Sequence, residues 1–280
     1  MSRLVDSHAH FWDVARFNYP WIEPGSVFDR TFSLADYQQA SHAVPIEKMV
    51  FVECDAHPSL GRAEAQWVEQ LATLDPRICG LVARVQLTDN DALQADLQAV
   101  AERPLVKGIR HNIQHNPPGF ALRDEFVHGI KLAHRHGLHF ELCLTHDQLS
   151  EVIQLVQRCP EVSFVLDHCA KPAIRAGLKA PWEAEIRALA RLPNVVCKIS
   201  GLLTEADWSH WTLEEILWYA QTAADAFGGK RILFGSDWPV NEAAGGYARW
   251  YSVTESLSRR WSAAEKDDFY FSNAERVYRL

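Results

Sequence analysis

Three short stretches carry residue types that could do chemistry together. His8-Ala9-His10 sets two imidazoles two residues apart, and on an extended strand both side chains leave the same face. Two such nitrogens can converge on one metal ion or one substrate group. Leu166-Asp167-His168-Cys169-Ala170-Lys171-Pro172 supplies another imidazole and an amine ahead of a proline turn. His168 can serve as a metal ligand or as a neutral donor to a carbonyl oxygen, and Lys171 can hold a carboxylate or a hydroxyl. Phe234-Gly235-Ser236-Asp237-Trp238-Pro239 presents a carboxylate able to accept a proton from water or to ligate a metal. Each stretch also has a plainer explanation. The paired histidines can be ordinary core or surface residues, Asp167 and His168 can tie down a loop, and Asp237 can form an Asx-turn.

What would bring these stretches together is the pattern around them. Eight short apolar runs read as strands: Leu4–His10, Lys48–Cys54, Ile78–Leu87, Val106–Asn112, His139–Thr145, Ser163–Cys169, Val195–Gly201 and Ile232–Trp238. They are rich in Val, Ile and Phe and nearly continuous in apolarity, as parallel strands covered on both faces are. Helical periodicity fills the gaps. Leu149, Val152, Ile153 and Val156 fall on one helix face before Pro160, and Leu93, Leu97 and Val100 form another stripe. Gly137 is placed to end a helix, Pro181 suits a first turn, and Thr212/Glu215 and Ser262/Glu265 have capping-box spacing. Eightfold alternation predicts an α/β fold, a single (β/α)8 TIM-type barrel domain over residues 1–280, with some distortion allowed. A doubly wound sheet would carry a glycine fingerprint after its first strand, where this chain has SHAHFWD. The aromatic, proline-containing segment Phe11–Asp36 is expected to lie over the barrel mouth like a lid.

In such barrels the working groups sit at the C-terminal ends of strands. Reading those ends gives His8, His10, Glu53, Arg84, Arg110, Glu141, His168, Lys198 and Asp237. Most of these types are rarely buried without partners, so packing alone accounts poorly for such a rim.

The 280 residues hold 28 Lys and Arg against 36 Asp and Glu, a net charge of −8. That balance argues against nucleic acid, which calls for a basic face, and against a polybasic membrane surface. No uncharged apolar run reaches the ~18 residues of a membrane span, and MSRLVDSHAH lacks the apolar core of an export signal. A cytoplasmic protein is expected. The six cysteines form no CxxC pair and read as reduced core residues.

With HxH first and GSDWP last, the chain resembles the amidohydrolase superfamily, in the branch of sugar-lactone hydrolases similar to L-fuconolactonase and L-rhamnonolactonase. The resemblance runs through VDSHAHFWD, VKGIRHNIQ, LDHCAKP, VVCKISGL and ILFGSDWPV in order. It implies a (β/α)8 barrel that hydrolyses a lactone, with His8, His10, His168 and Asp237 at the catalytic centre. The further strand-end histidine and bridging lysine or glutamate of fully metallated members are replaced by Glu141 and Lys198, which argues against a binuclear centre. Ala170 stands where the branch usually has glycine. The branch includes metal-independent lactonases, so one divalent, zinc-like ion held by His8, His10, Glu141 and Asp237 and a metal-free site are both open.

Lactone hydrolysis needs an activated water, a polarised carbonyl and a stabilised oxyanion. Asp237 is expected to act as general base, with His168, Arg110 or the metal meeting the carbonyl oxygen. Expected substrate-binding residues are Arg110, His111, Lys171, Lys198, Trp12 and Trp238. Asn112, His115 and Trp21, Trp208 and Trp211 lie nearby, flat indoles suiting the C–H faces of a sugar ring. The partner would be a small sugar lactone, with no nucleic acid, no membrane and an oligomeric state left open. Two alternatives stand beside this reading: a metal-dependent decarboxylase or amide hydrolase of the same superfamily, and a barrel that binds a sugar acid without turnover.

Overall fold

The computed structural model describes residues 3–88 and 92–280. Strands β1 (Leu4–Ala9), β2 (Ile46–Val52), β3 (Ile78–Arg84), β4 (Val106–Arg110), β5 (His139–Leu142), β6 (Phe164–Leu166), β7 (Val195–Ile199) and β8 (Ile232–Phe234) run parallel in the order β1 to β8. Each is followed by a helix: α1 (Leu34–Ala40), α2 (Gly61–Leu74), α3 (Leu93–Ala101), α4 (Asp124–Arg135), α5 (Leu149–Arg158), α6 (Trp182–Ala190), α7 (Leu213–Phe227) and α8 (Gly246–Leu257). The sheet closes just beyond its ends. Ala9 bridges Trp238 in parallel, His10 N–H donates to the Trp238 carbonyl at 2.7 Å, and Asp237 N–H donates to the His8 carbonyl at 2.8 Å. The result is the (β/α)8 barrel the alternation predicts.

The predicted local signals hold with small shifts. Helix α5 buries Leu149, Val152, Leu155 and Val156, so Leu155 takes the place assigned to Ile153. Thr212 caps α7 by accepting from Glu215 N–H, and Ser262 and Glu265 form a full capping box. Inside the barrel, Val5, Val50, Val52, Val82, Val165 and Leu233 pack against Phe271, Ala274 and Tyr278, so the C-terminal segment stoppers the end opposite the C-terminal ends of the strands.

The β1–β8 seam is tied by Asp6. Its Oδ2 accepts from Tyr37 Oη at 2.8 Å and Tyr247 Oη at 2.9 Å, while Oδ1 accepts from Ser236 N–H at 2.8 Å and His8 N–H at 3.2 Å. One fully buried carboxylate thereby fixes the backbone of both strand ends that carry the HxH and GSD motifs.

Each strand stops short of the C-terminal end of its apolar run. β6 stops at Leu166, before His168, and β8 stops at Phe234, before Asp237. Backbone geometry gives the reason. His168, Cys169, Ala170 and Lys171 have φ of 51°, 52°, 61° and 45°, and Asp237 has φ of 59°. These left-handed conformations are uncommon outside glycine, and they turn side chains across the mouth, which an extended strand would not do.

Candidate active site

At the mouth three imidazoles face one carboxylate. Asp237 Oδ1 lies 3.8 Å from His8 Nε2, 3.6 Å from His10 Nε2 and 3.7 Å from His168 Nε2. The His8 and His10 Nε2 atoms are 3.1 Å apart. Each ring is held through its other nitrogen. His10 Nδ1 sits 2.7 Å from the Val52 carbonyl, which only accepts, so that nitrogen carries a proton. His168 Nδ1 pairs with Ser200 Oγ at 2.9 Å. His8 Nδ1 faces Asp167 Oδ1 at 3.3 Å and Lys198 Nζ at 3.0 Å.

Burial drives the His168 imidazole down to about 4 and holds the His8 imidazole well below its ordinary value, so both rings are neutral near pH 7. Burial alone would raise the Asp237 carboxyl, but the adjoining His168, His10 and His8 bring it well below the usual carboxylate range. The centre therefore sets an ionised carboxylate against the neutral His8 and His168 imidazoles, with His10 beside them. Gly201 makes the close fit possible. It has φ of +63°, and a Cβ there would stand 2.5 Å from His168 Nδ1 and 2.9 Å from Asp237 Oδ2.

The donors fit a divalent ion. Around a tetrahedral ion with bonds of about 2.0–2.1 Å, donors stand roughly 3.3 Å apart; the three imidazole–carboxylate separations and the His8–His10 separation are 3.1–3.8 Å, and His8, His168 and Asp237 offer ligand atoms all within 4.8 Å of one another. Partners on every Nδ1 are the usual second layer of such a site. Glu141, expected among the ligands, lies on the other side of His8. Its Oε2 accepts from Lys198 Nζ at 2.6 Å and its Oε1 from Tyr278 Oη at 2.6 Å, so both oxygens are engaged beneath the site. His168 completes the inward-facing set in its place.

Below the imidazoles the strand-end charges neutralise one another. Arg110 donates through Nε to Glu53 Oε1 at 2.5 Å and through Nη1 to Asp167 Oδ2 at 3.1 Å. Lys198 Nζ also meets Asp167 Oδ1 at 3.1 Å. Burial opposes ionisation of Asp167, yet Lys198, His8 and Arg110 bring its carboxyl well below the ordinary range. Breaking such a network by removing one partner leaves a buried charge uncompensated.

Above the centre opens a cavity of about 320 Å³. Trp12 and Trp21 line it from the segment after β1, Arg110, Asn112, Gln114 and His115 from the end of β4, and Lys171, Thr204 and Glu205 from the loops after β6 and β7. The expected lid is a real wall: Trp12 Nε1 donates to the Arg30 carbonyl at 2.8 Å, and Trp21 Nε1 donates to the Cys54 carbonyl at 2.7 Å.

Three expected substrate-binding residues do not line this cavity. Trp238 is fully buried and packs on Phe11, Phe32 and Tyr37 with ring centroids 5.3–5.9 Å away; the left-handed turn at Asp237 sends its indole behind the site. His111 accepts from Leu87 N–H at 3.1 Å and packs on Phe120 and Phe126, because strand alternation points it away from its neighbour Arg110. Lys198 is fully buried and spent on the ion network. His139, at the start of β5, is buried 3.4 Å from Glu141. Glu205 was not expected at all. Its only signal is an acidic residue just past a strand end, in Gly201-Leu202-Leu203-Thr204-Glu205.

The amidohydrolase family model matches residues 5–280. An L-fucono-1,5-lactonase from Burkholderia multivorans is 33% identical, covering 99% of this chain and 96% of that protein. An L-rhamnono-gamma-lactonase from Scheffersomyces stipitis is 20% identical, covering 99% of both. Among solved structures, an amidohydrolase from Burkholderia multivorans with bound zinc superposes with a TM-score of 0.90 at 33% identity, over 99% of each chain. Among the described residues, no helix is long and apolar enough to cross a membrane. With the barrel, the histidine cluster and a match spanning nearly the whole sequence, this chain belongs to the amidohydrolase family.

Proposed function

We propose that the chain, working as one barrel domain, opens the ester ring of a neutral sugar-acid lactone, an aldonolactone such as L-fucono- or L-rhamnono-lactone, by attack of water. The observation that carries this reading is the ionised Asp237 carboxylate, with three Nε2 atoms 3.6–3.8 Å from one of its oxygens, at the floor of a cavity walled by Trp12 and Trp21. The lactonase relatives supply the substrate class.

Asp237 takes a proton from the attacking water. His8, His10, His168 and Asp237 would hold one divalent ion. Such an ion supplies polarisation of the carbonyl and acidification of water when bound. Arg110 and His168 line the cavity. With no ion held, His168 Nε2 is the nitrogen left to meet the developing oxyanion, since Nδ1 pairs with Ser200, and buried donors contribute most there. Asp237's low proton affinity is itself a demand on the site: a weak base takes a proton readily only from a water already made acidic by its surroundings. Trp12 and Trp21 offer flat faces to the C–H side of a sugar ring. Each cation of the cavity is spoken for. Arg110 is bound to Glu53 and Asp167, and Lys171 donates to Gln114 and faces Glu205 and Asp237. This favours an uncharged substrate over one bearing carboxylates.

The test is a pH-indicator assay of pentonic and hexonic lactones, L-fucono-1,5-lactone and L-rhamnono-gamma-lactone included, with and without chelator. Wild type should release acid from at least one lactone, and Asp237→Asn should lower the rate by about 10²–10⁴-fold. No turnover of any aldonolactone, or an undiminished variant, would overturn the assignment.

A further inference from the structure

Among the described residues of the plug cluster inside the barrel, Tyr278 alone carries a polar side-chain atom. Packing there asks only for apolar surface, so a hydroxyl in that place needs another explanation. We propose that Tyr278 is a positioning residue, holding the His8 imidazole in place from the far end of the barrel through Glu141 and Lys198. The kinetic half of its test rests on the lactone reading above.

The connection is a continuous chain of short contacts. Tyr278 Oη donates to Glu141 Oε1 at 2.6 Å, and Lys198 Nζ donates to Glu141 Oε2 at 2.6 Å. The same Nζ stands 3.0 Å from His8 Nδ1 and 3.1 Å from Asp167 Oδ1. Asp167 Oδ1 in turn lies 3.3 Å from His8 Nδ1, while Arg110 holds the other Asp167 oxygen at 3.1 Å. Across the ring, His8 Nε2 is 3.1 Å from His10 Nε2 and 3.8 Å from Asp237 Oδ1. Tyr278, Glu141, Lys198, Asp167 and His8 are all 0% exposed, so solvent cannot take over a lost link. A buried polar network is rigid only while every member keeps its partner.

His8 depends on this chain more than its neighbours do. The His10 ring is held by the Val52 carbonyl and the His168 ring by Ser200. The His8 ring leans on two side chains, Asp167 and Lys198, and so on whatever fixes those. The plug is a firm anchor. Asn273 Nδ2 donates to the Gly229 and Ile232 carbonyls at 2.7 and 2.9 Å, tying the C-terminal helix Asn273–Tyr278 to β8. On the other side of Tyr278, Arg279 Nη2 donates to the Gly137 and Lys107 carbonyls at 3.0 and 3.2 Å.

The hydroxyl can be separated from the ring that bears it. The ring stands edge-on to His139 with centroids 5.0 Å apart, and Lys198 Nζ lies 5.6 Å from its centre. Tyr278→Phe keeps both contacts and removes only the bond to Glu141. Glu141 Oε1 is then left with His139 Nε2 at 3.4 Å. A carboxylate drawn toward His139 takes Oε2 away from Lys198, and the ammonium shifts against Asp167 and His8.

The experiment measures kcat and KM on L-fucono-1,5-lactone for wild type, Tyr278→Phe, Glu141→Gln, the double variant and Phe271→Leu. Near-UV circular dichroism checks folding. Tyr278→Phe should lower kcat about 10-fold, the lower end of what outer partners of an imidazole centre contribute. KM should stay unchanged, because Tyr278 does not line the substrate cavity. If Tyr278 acts through Glu141, the double variant should be no slower than Glu141→Gln alone, whereas independent effects would multiply. Phe271→Leu loosens the same plug outside the bond chain and should keep wild-type kcat. As a readout apart from activity, metal-stripped protein is titrated with zinc against a chromogenic chelator. Tyr278→Phe should bind zinc about 10-fold more weakly than wild type, and Phe271→Leu equally well.

A Tyr278→Phe protein with near-normal kcat, multiplied losses in the double variant, or an equal loss in Phe271→Leu would overturn the role. Should Tyr278→Phe misfold, a folded Glu141→Gln protein with wild-type kcat would overturn it equally. If wild type turns over but takes up no zinc, the kinetic comparison decides. If wild type opens no lactone, the reaction reading has failed and the zinc affinities decide this role; with neither turnover nor zinc uptake, both fall.

Discussion

Replacing Gly201 with alanine puts the geometry of the centre under direct strain. At φ of +63° the alanine Cβ would sit 2.5 Å from His168 Nδ1 and 2.9 Å from Asp237 Oδ2, where ordinary contact begins at 3.4 Å. The imidazole cannot swing clear without breaking its 2.9 Å bond to Ser200, so ring, carboxylate or backbone must yield by most of an ångström. A left-handed alanine costs roughly 1–2 kcal/mol, which for a domain of this size lowers Tm by about 2–8 °C. A shift of about 1 Å in a reacting group costs on the order of 100-fold in rate. Gly201→Ala should therefore lose about two orders of magnitude in kcat on the lactone that wild type hydrolyses while remaining folded. Steady-state kinetics with a thermal melt on the same preparation measures both. A variant melting several degrees lower with kcat within a few-fold of wild type would show that the positions of His168 and Asp237 do not govern the chemistry.

Two further outcomes follow from groups outside the cavity. Asp6→Ala leaves Tyr37, Tyr247 and Ser236 N–H without their shared acceptor at the β1–β8 seam, and should cost about 3–5 kcal/mol in urea unfolding; a cost under about 1 kcal/mol would contradict the role given to that carboxylate. His111 is buried and its pKa lies at about 4 against an ordinary 6.5, so the unfolded chain binds a proton there first and stability falls as pH drops from 6.5 to 4. His111→Leu should remove about 3 kcal/mol of that pH dependence while leaving KM for the lactone unchanged. An altered KM with unaltered pH dependence would return His111 to the substrate site.

Much of this was legible in the residues. Apolar runs broken by helical periods gave eight strands in the right order, since strands covered on both faces must be apolar throughout. The same continuity conceals which residues face inward, and for that reason Lys198 and His111 read as substrate contacts. Lys198 points into the barrel toward Glu141 and Asp167, and His111 points out toward Phe126. His8, His10, His168 and Asp237 stood out because such groups at strand ends have no packing rationale. Trp238 and Glu205 escaped correct reading because both follow a departure from extended backbone, at Asp237 and at Gly201. Past such a point strand alternation no longer says where a side chain goes.

The closure of the barrel has a kinetic side. The Asp237 carboxylate and the His8 imidazole are brought together by a seam joining residues more than two hundred positions apart, and contacts of such sequence separation form late because a long loop must close first. A refolding chain could assemble most of its helices and inner strands and still have no centre. Recovery of turnover after dilution from denaturant should then trail the recovery of helical circular dichroism, making activity itself a reporter of the moment when the two edge strands meet.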